Sequence, residues 1–417
     1  MINAADGRPR IVITGMGAMT PLGDTNDFWQ SLANGKSGIK QITQFDPQDL
    51  AVQIAGEVDF EPSDFIERKT ARRMSRASQI ALIAAKMALQ DANLDPDQVR
   101  QEGDRVAVSV GTVIAGFDTL VDTAYQYTYH GRKPFPTALI NGLPNIPGYY
   151  VSLELGATGS LTTITTACAS GTQSIGYGME LIRSGKADMV FAGGVDCLIR
   201  KEVIAAFDAM TVLARSDIYP PEKASRPFDQ DRQGFVLGEG AGFLVLESLQ
   251  HADDRQAMIY AELLGHAASS DAQHISTPDE EGIGAQNAMR WALQDAQMNP
   301  DQIDYINAHG TGTRINDPTE TKAIKKVFGQ AAYKIPISST KSMIGHCMGA
   351  SGTVEAIACV KSIQAECLHP TINLENPDPE CDLDYVPNYA RQVKIRTALS
   401  NSFGLGGQNA CLVLGKI

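Results

Sequence analysis

The chain has 417 residues, of which 43% are apolar, 20% charged and 6% aromatic, the balance of a folded globular protein with a sizeable core. Its formal net charge of −13 and pI near 5.0 exclude a general nucleic-acid or anionic-membrane surface. No apolar run approaches the ~20 residues a bilayer span needs, and residues 1–10 lack the apolar stretch of a signal peptide, so a cytoplasmic location is expected. The seven cysteines are scattered, without CxxC pairs or metal-like His/Cys spacing, which predicts reduced thiols and no metal site.

In chain order, residues 11–14 form the first apolar run expected to be a buried strand. Gly15-Met16-Gly17-Ala18-Met19-Thr20 follows it and superficially resembles a dinucleotide loop, but the third glycine and a ribose-binding acid are missing. Arg68, Lys69, Arg72, Arg73 and Arg76 then place five positive charges in nine residues of an acidic chain. Such a run is either a solvated helix face or a docking patch for an acidic partner. Periodicity predicts helices over 79–92, 172–183, 285–296 and 352–363, and buried strands over 106–110, 189–192, 243–246 and 411–414. This alternation is that of an α/β protein. The pattern also repeats. Ala169-Ser170-Gly171-Thr172 opens one helix and Ala350-Ser351-Gly352-Thr353 another, while Phe235, Leu237, Gly238 and Leu244-Val245-Leu246 are matched by Phe403, Leu405, Gly406 and Leu412-Val413-Leu414. A duplicated α/β unit accounts for both landmarks in the same order, with the halves expected at 1–253 and 254–417.

Cys168 lies in Thr165-Thr166-Ala167-Cys168-Ala169-Ser170-Gly171, between an apolar, β-branched run and a predicted helix. Unpaired N–H groups and the dipole at a helix start favour an anion, so this position is expected to lower the thiol's pKa and make a nucleophile. A lone cysteine is more often a small buried hydrophobe, the reading kept for the other six. Two histidine segments shift the balance for Cys168. Asn307-Ala308-His309-Gly310-Thr311-Gly312-Thr313 follows the strand-like run 303–306, and Ser339-Thr340-Lys341-Ser342-Met343-Ile344-Gly345-His346 runs into the second repeat helix. Both histidines stand in loops after strands, where α/β proteins place their sites. Histidine donors can hold an oxyanion and Lys341 can orient groups electrostatically. Gly404-Leu405-Gly406-Gly407 is a glycine-rich turn that either faces a ligand or simply precedes the last strand.

These segments, with Arg226-Pro227-Phe228-Asp229 and the run from Gly234 to Gly242, resemble the elongating β-ketoacyl-[acyl-carrier-protein] synthases, most closely the II type, over nearly the whole chain. The resemblance implies a thiolase-like fold, two similar α/β halves in a five-layered αβαβα body. It implies that Cys168 carries the acyl group as a thioester, that His309 and His346 stabilise the enolate released by malonyl decarboxylation, and that Lys341 supports them. The backbone amides of Cys168 and Leu405 would form the oxyanion hole. Thr311 and Thr313 would contact the phosphopantetheine arm, Ile114, Phe207 and Phe403 would face the substrate, and Asp317 and Glu320 would brace Lys341 or the loop. No separate cofactor is implied, because the substrates arrive on the phosphopantetheine of an acyl carrier protein. That carrier is the expected partner, docking on Arg68, Lys69, Arg72, Arg73, Arg132 and Lys133, and the enzyme is expected to be a homodimer.

The chain departs from the family at several points. Leu405 replaces a gating Phe, Thr137 and Ala138 stand where aromatics often line the acyl pocket, and Thr211 replaces a docking Arg. These changes point to a less ordinary acyl substrate and keep a polyketide or specialised-lipid ketosynthase as the rival of a fatty-acid enzyme. A silent chain-length partner would have lost the nucleophile. A thiolase would place a second catalytic cysteine near the glycine turn, whereas Cys411 falls inside the last strand pattern.

Overall fold

A computed structural model describes Asn3 and residues 7–417. Its sheet follows one path through Ile337–Ser338, Tyr305–Asn307, Thr397–Gly404, Gln408–Gly415, Ala261–Ser270, Ile11–Thr20, Gly240–Ser248, Met189–Asp196, Val106–Gly111 and Leu161–Ile164. The two arms of this path are alike. Starting from Ile11–Thr20, the successive pairings are antiparallel, antiparallel, parallel and parallel. The same series runs outward from Ala261–Ser270. The arms join where Ile11, Val12 and Ile13 pair with Leu263, Glu262 and Ala261. This is the duplicated α/β architecture that the repeat implied and the thiolase-like fold that the resemblance implied.

Helices Ser170–Arg183 and Ser351–Ala365, each opened by a copy of the Ala-Ser-Gly-Thr signature, pack against each other and against strands of both arms, forming the middle layer. The second of them is buried on nearly every side, as a helix apolar all round must be. Their starts approach so closely that a Cβ on Gly352 would lie 2.0 Å from Thr172 Oγ1, which explains glycine at this point of the signature. Ile175, Met179, Val354 and Ile357 fill the space between the arms with Leu244, Leu246, Leu412 and Leu414. Outside, Arg76–Asp91 covers one arm and Ile283–Asp295 the other, completing five layers.

The first strand is longer than expected. Gly15 to Thr20 continues it past a register shift between Ile13 and Gly15, fully buried, rather than forming a loop. The first long helix starts at Arg76, where Ser75 caps it by accepting from the Ser78 N–H.

Candidate active site

Strand Leu161–Ile164 runs into a tight turn that presents Cys168 just ahead of helix Ser170–Arg183. Ala167 takes a left-handed φ of 49°, a costly geometry for a residue with a Cβ. Ser170 Oγ pins the turn, accepting from the Thr166 N–H at 2.8 Å and donating to the Ala167 carbonyl at 2.6 Å. Met348, two residues after His346, occupies the equivalent place in the second repeat, also with φ 49°. The duplicated turns bring Cys168 and His346 together, with Nε2 3.0 Å from Sγ.

His346 Nδ1 accepts from the Met348 N–H at 3.2 Å and lies 2.9 Å from Ser351 Oγ. An Nδ1 that accepts leaves the proton on Nε2, so the nitrogen facing the sulfur is a donor. His309 stands edge-on to His346, ring centroids 5.4 Å apart. Its loop is held by Glu320, which accepts from the amides of His309 and Gly310 at 2.8 Å each. Asp317 accepts from the amides of Phe228 at 2.8 Å and Gly312 at 3.2 Å. Both acids therefore brace the loop, not Lys341. Lys341 pairs instead with Glu355, and both are buried. Burial, then the Lys341 charge, holds both imidazoles well below the usual range, so they are neutral. Burial pushes the Glu355 carboxyl up to about 7 despite the adjacent ammonium.

The expected lowering of the Cys168 pKa is reversed in the resting protein. Burial pushes the thiol up to about 11, opposed by the Lys341 charge and by the N–H groups of Leu405 and of Cys168 itself, which face the sulfur. Desolvation outweighs the helix start here. His346 Nε2 and the Leu405 and Cys168 amides nevertheless all present donors to the sulfur, a setting that favours negative charge there once it develops.

Cys168, His309 and His346 each offer an atom within 4.8 Å of the others. This is a soft donor set of the kind zinc uses, but a protonated Nε2 on His346 is a hydrogen-bond donor rather than a ligand. The three residues share a cavity of about 790 Å³ with Phe207, Thr311, Thr313, Phe403 and Leu405. Phe403 packs edge-on to His309 and Phe235 edge-on to His346, so the matched phenylalanines of the two repeats flank the two rings.

Residues 8–252 match the family described as "Beta-ketoacyl synthase, N-terminal domain" and residues 260–375 its C-terminal domain. The chain is 44% identical over 415 residues to 3-oxoacyl-[acyl-carrier-protein] synthase 2 of Synechocystis sp., covering 98% of each chain. It is 44% identical over 412 residues to the protein of that name from Coxiella burnetii, covering 98% of this chain and 99% of that one. The chain belongs to the β-ketoacyl synthase family. Among solved structures it superimposes with TM-score 0.91 on a type II PKS ketosynthase in complex with its acyl-carrier protein and bound to the hexaketide, at 35% identity over 98% of this chain and all of that one. A β-ketoacyl synthase from Burkholderia phymatum gives 0.90 at 33% identity, with the same coverage.

Other expected site residues lie elsewhere. Ile114 is 39% exposed and outside the lining of the catalytic cavity: its N–H is tied inward to buried Asp196, and its side chain is left facing away. Arg68, Lys69, Arg72, Arg73, Arg132 and Lys133 are exposed, away from the cavity. Arg76 leaves the basic cluster. Its guanidinium binds buried Glu239 at 2.6 and 3.0 Å and the Val58 carbonyl at 2.6 Å. Cys411 is buried in its strand, 3.0 Å from Asn401 Oδ1 and not in the cavity. Sequence reasoning missed Glu355, and also Arg215 and Arg314 on the exposed rim of the cavity, since nothing in their spacing marks them.

Proposed function

We propose that the protein catalyses the decarboxylative condensation of an acyl thioester with malonyl-carrier protein to give β-ketoacyl-carrier protein, in fatty-acid chain elongation. The observation that carries this reading is the meeting of the Cys168 sulfur with His309 and His346 inside one cavity. Cys168 sulfur attacks the acyl carbonyl, the bond to the carrier's sulfur breaks, and the thiol proton leaves with the released arm. Malonyl carrier then enters. As carbon dioxide departs, the bonding electrons pass into an enolate whose oxygen accepts from His346 Nε2 and from His309. The enolate carbon attacks acyl-Cys168, the Cys168 and Leu405 amides hold the oxyanion, and the expelled thiolate takes up one proton from water to restore the Cys168 thiol.

Thr311 and Thr313, 3.0 Å apart at their hydroxyls, suit contacts with the carrier's arm. Arg215 and Arg314 add positive charge where its phosphate would pass. The exposed basic residues of 68–73 and 132–133 suit docking of an acidic carrier. Leu139, Ile140, Tyr149 and Leu153 are more than 45% exposed, an apolar surface that favours a homodimer. The turn between helix Leu249–Asp254 and strand Ala261–Ser270 suits a boundary between halves near residue 254. No described helix is long and apolar enough to cross a membrane, and the reaction fits the cytoplasm. The substrates themselves bring the phosphopantetheine, so the reading requires no separate cofactor.

A polyketide ketosynthase is the second reading, favoured by Leu405 at the cavity mouth and by the hexaketide-bound relative. Incubation with acyl-carrier and labelled malonyl-carrier tests the first. Labelled carbon dioxide and, from a saturated acyl-carrier, a product two carbons longer are expected; neither forms if the chain is no condensing enzyme, and extension of a poly-β-ketoacyl carrier in preference to a saturated one would favour the second reading instead.

A further inference from the structure

Asp196 closes strand Met189–Asp196, is fully buried, and belongs to none of the groups assigned above. Its carboxylate holds two backbone segments from opposite arms of the fold. Oδ1 accepts from Thr112 Oγ1 at 2.8 Å and from the Ile114 N–H at 3.3 Å. Oδ2 accepts from the Val113 N–H at 2.8 Å and from the Gly349 N–H at 2.7 Å. The approach to residue 349 is so close that a Cβ there would lie 2.5 Å from Oδ2, so only glycine lets the amide reach the carboxylate.

The residue before Gly349 bears on the chemistry. Met348, held in its left-handed turn, donates its N–H to His346 Nδ1. Thr112 joins the same carboxylate to the nucleophile turn, because its carbonyl lies 3.2 Å from Ser170 Oγ, whose proton points to the nearer Ala167 carbonyl. One carboxylate thus fixes the turn behind the histidine and touches the turn behind the cysteine. Its negative charge also faces Cys168 and opposes ionisation of the thiol. A residue selected only to activate the sulfur would carry no such charge.

We infer that Asp196 is a positioning residue of the condensation: through the Gly349 amide it holds the Met348 N–H on His346 Nδ1, which keeps the proton on Nε2 for the enolate oxygen. This rests on the function proposed above, since it concerns the decarboxylation step. Burial pushes the Asp196 carboxyl up to about 6, opposed by its four donors, which favour the carboxylate.

The test compares wild type with Asp196→Asn in two assays at one pH. Malonyl-carrier decarboxylation should fall by roughly 10- to 100-fold, below the 10²–10³ of deleting an oxyanion donor outright. Iodoacetamide alkylation of Cys168 should be as fast as in wild type or faster, because a negative charge facing the sulfur has gone. A merely structural role moves both rates down together, and that parallel loss, or unchanged decarboxylation, would overturn the inference. If wild type itself fails to decarboxylate malonyl-carrier, the proposed function fails first, which separates the two. Nitrogen-15 NMR of histidine-labelled wild type needs no variant to fold. It should show His346 protonated at Nε2, and protonation at Nδ1 instead would overturn the inference directly.

Discussion

Replacing Lys341 by Met removes the cation paired with Glu355 while keeping most of the side chain's length. With the ammonium in place, burial already holds the carboxyl up at about 7, against an ordinary 4.5. Without it the folded-state value rises further. A carboxyl whose folded value lies above its unfolded one binds more protons in the folded state. Its stability contribution is complete below about pH 4.5 and falls by about 1.4 kcal/mol per pH unit until the folded value is passed. In wild type this decline levels off near pH 7. In Lys341→Met it continues, so the two proteins should be close at pH 6 and differ by about 2–3 kcal/mol near pH 9. Denaturant midpoints at several pH values measure the gap, and Lys341→Met/Glu355→Gln should abolish its pH dependence. The lost charge also leaves the Cys168 thiol harder to ionise, so alkylation near pH 8 should slow about tenfold, one pKa unit. A gap constant across pH, or one that widens equally in the double variant, would refute the reasoning.

His309→Ala and His346→Ala should each lower malonyl decarboxylation by roughly 10²-fold or more, the scale of losing an oxyanion donor, with acyl transfer to Cys168 less affected. Stopped assays of carbon dioxide release and of acyl-enzyme formation separate the steps. Arg72→Glu with Arg73→Glu should raise KM for carrier-bound substrate and flatten its salt dependence, with a small thioester turned over nearly as before; an equal loss on both substrates would mean a damaged fold. Leu405→Phe adds a ring at the cavity mouth and should slow acylation by bulky acyl groups more than by short ones, measured as acyl-Cys168 formation across a chain-length series.

The parts of the site that were legible in the chain are those tied to repetition and turn chemistry. The Ala-Ser-Gly-Thr copies marked two helix starts, and the structure packs those starts together, which places the residues just before them, Cys168 and His346, within reach of each other. The groups that tune those residues left no such trace. Glu355 sits in an otherwise unremarked helix that packs against strands of both arms, and its partner Lys341 comes from a separate element, a contact no local spacing encodes. Asp196 ends a strand whose pattern is apolar, and its four donors come from segments distant in sequence. Arg76 read as one charge among five because Glu239, its partner, lies 163 residues away. The thiol's pKa was misjudged for the same reason: the helix start is local and visible, whereas the desolvation that outweighs it is made by the whole cavity.

If Cys168 is the nucleophile, it carries the acyl group between the two half-reactions. The most direct measurement is mass spectrometry of peptides from enzyme incubated with acyl-carrier protein and no malonyl substrate. One acyl group is expected, on the peptide containing Cys168, lost when malonyl-carrier is added and absent from Cys168→Ser treated identically. An acyl group on Cys197, Cys347 or another cysteine, or full condensation by Cys168→Ser, would contradict it.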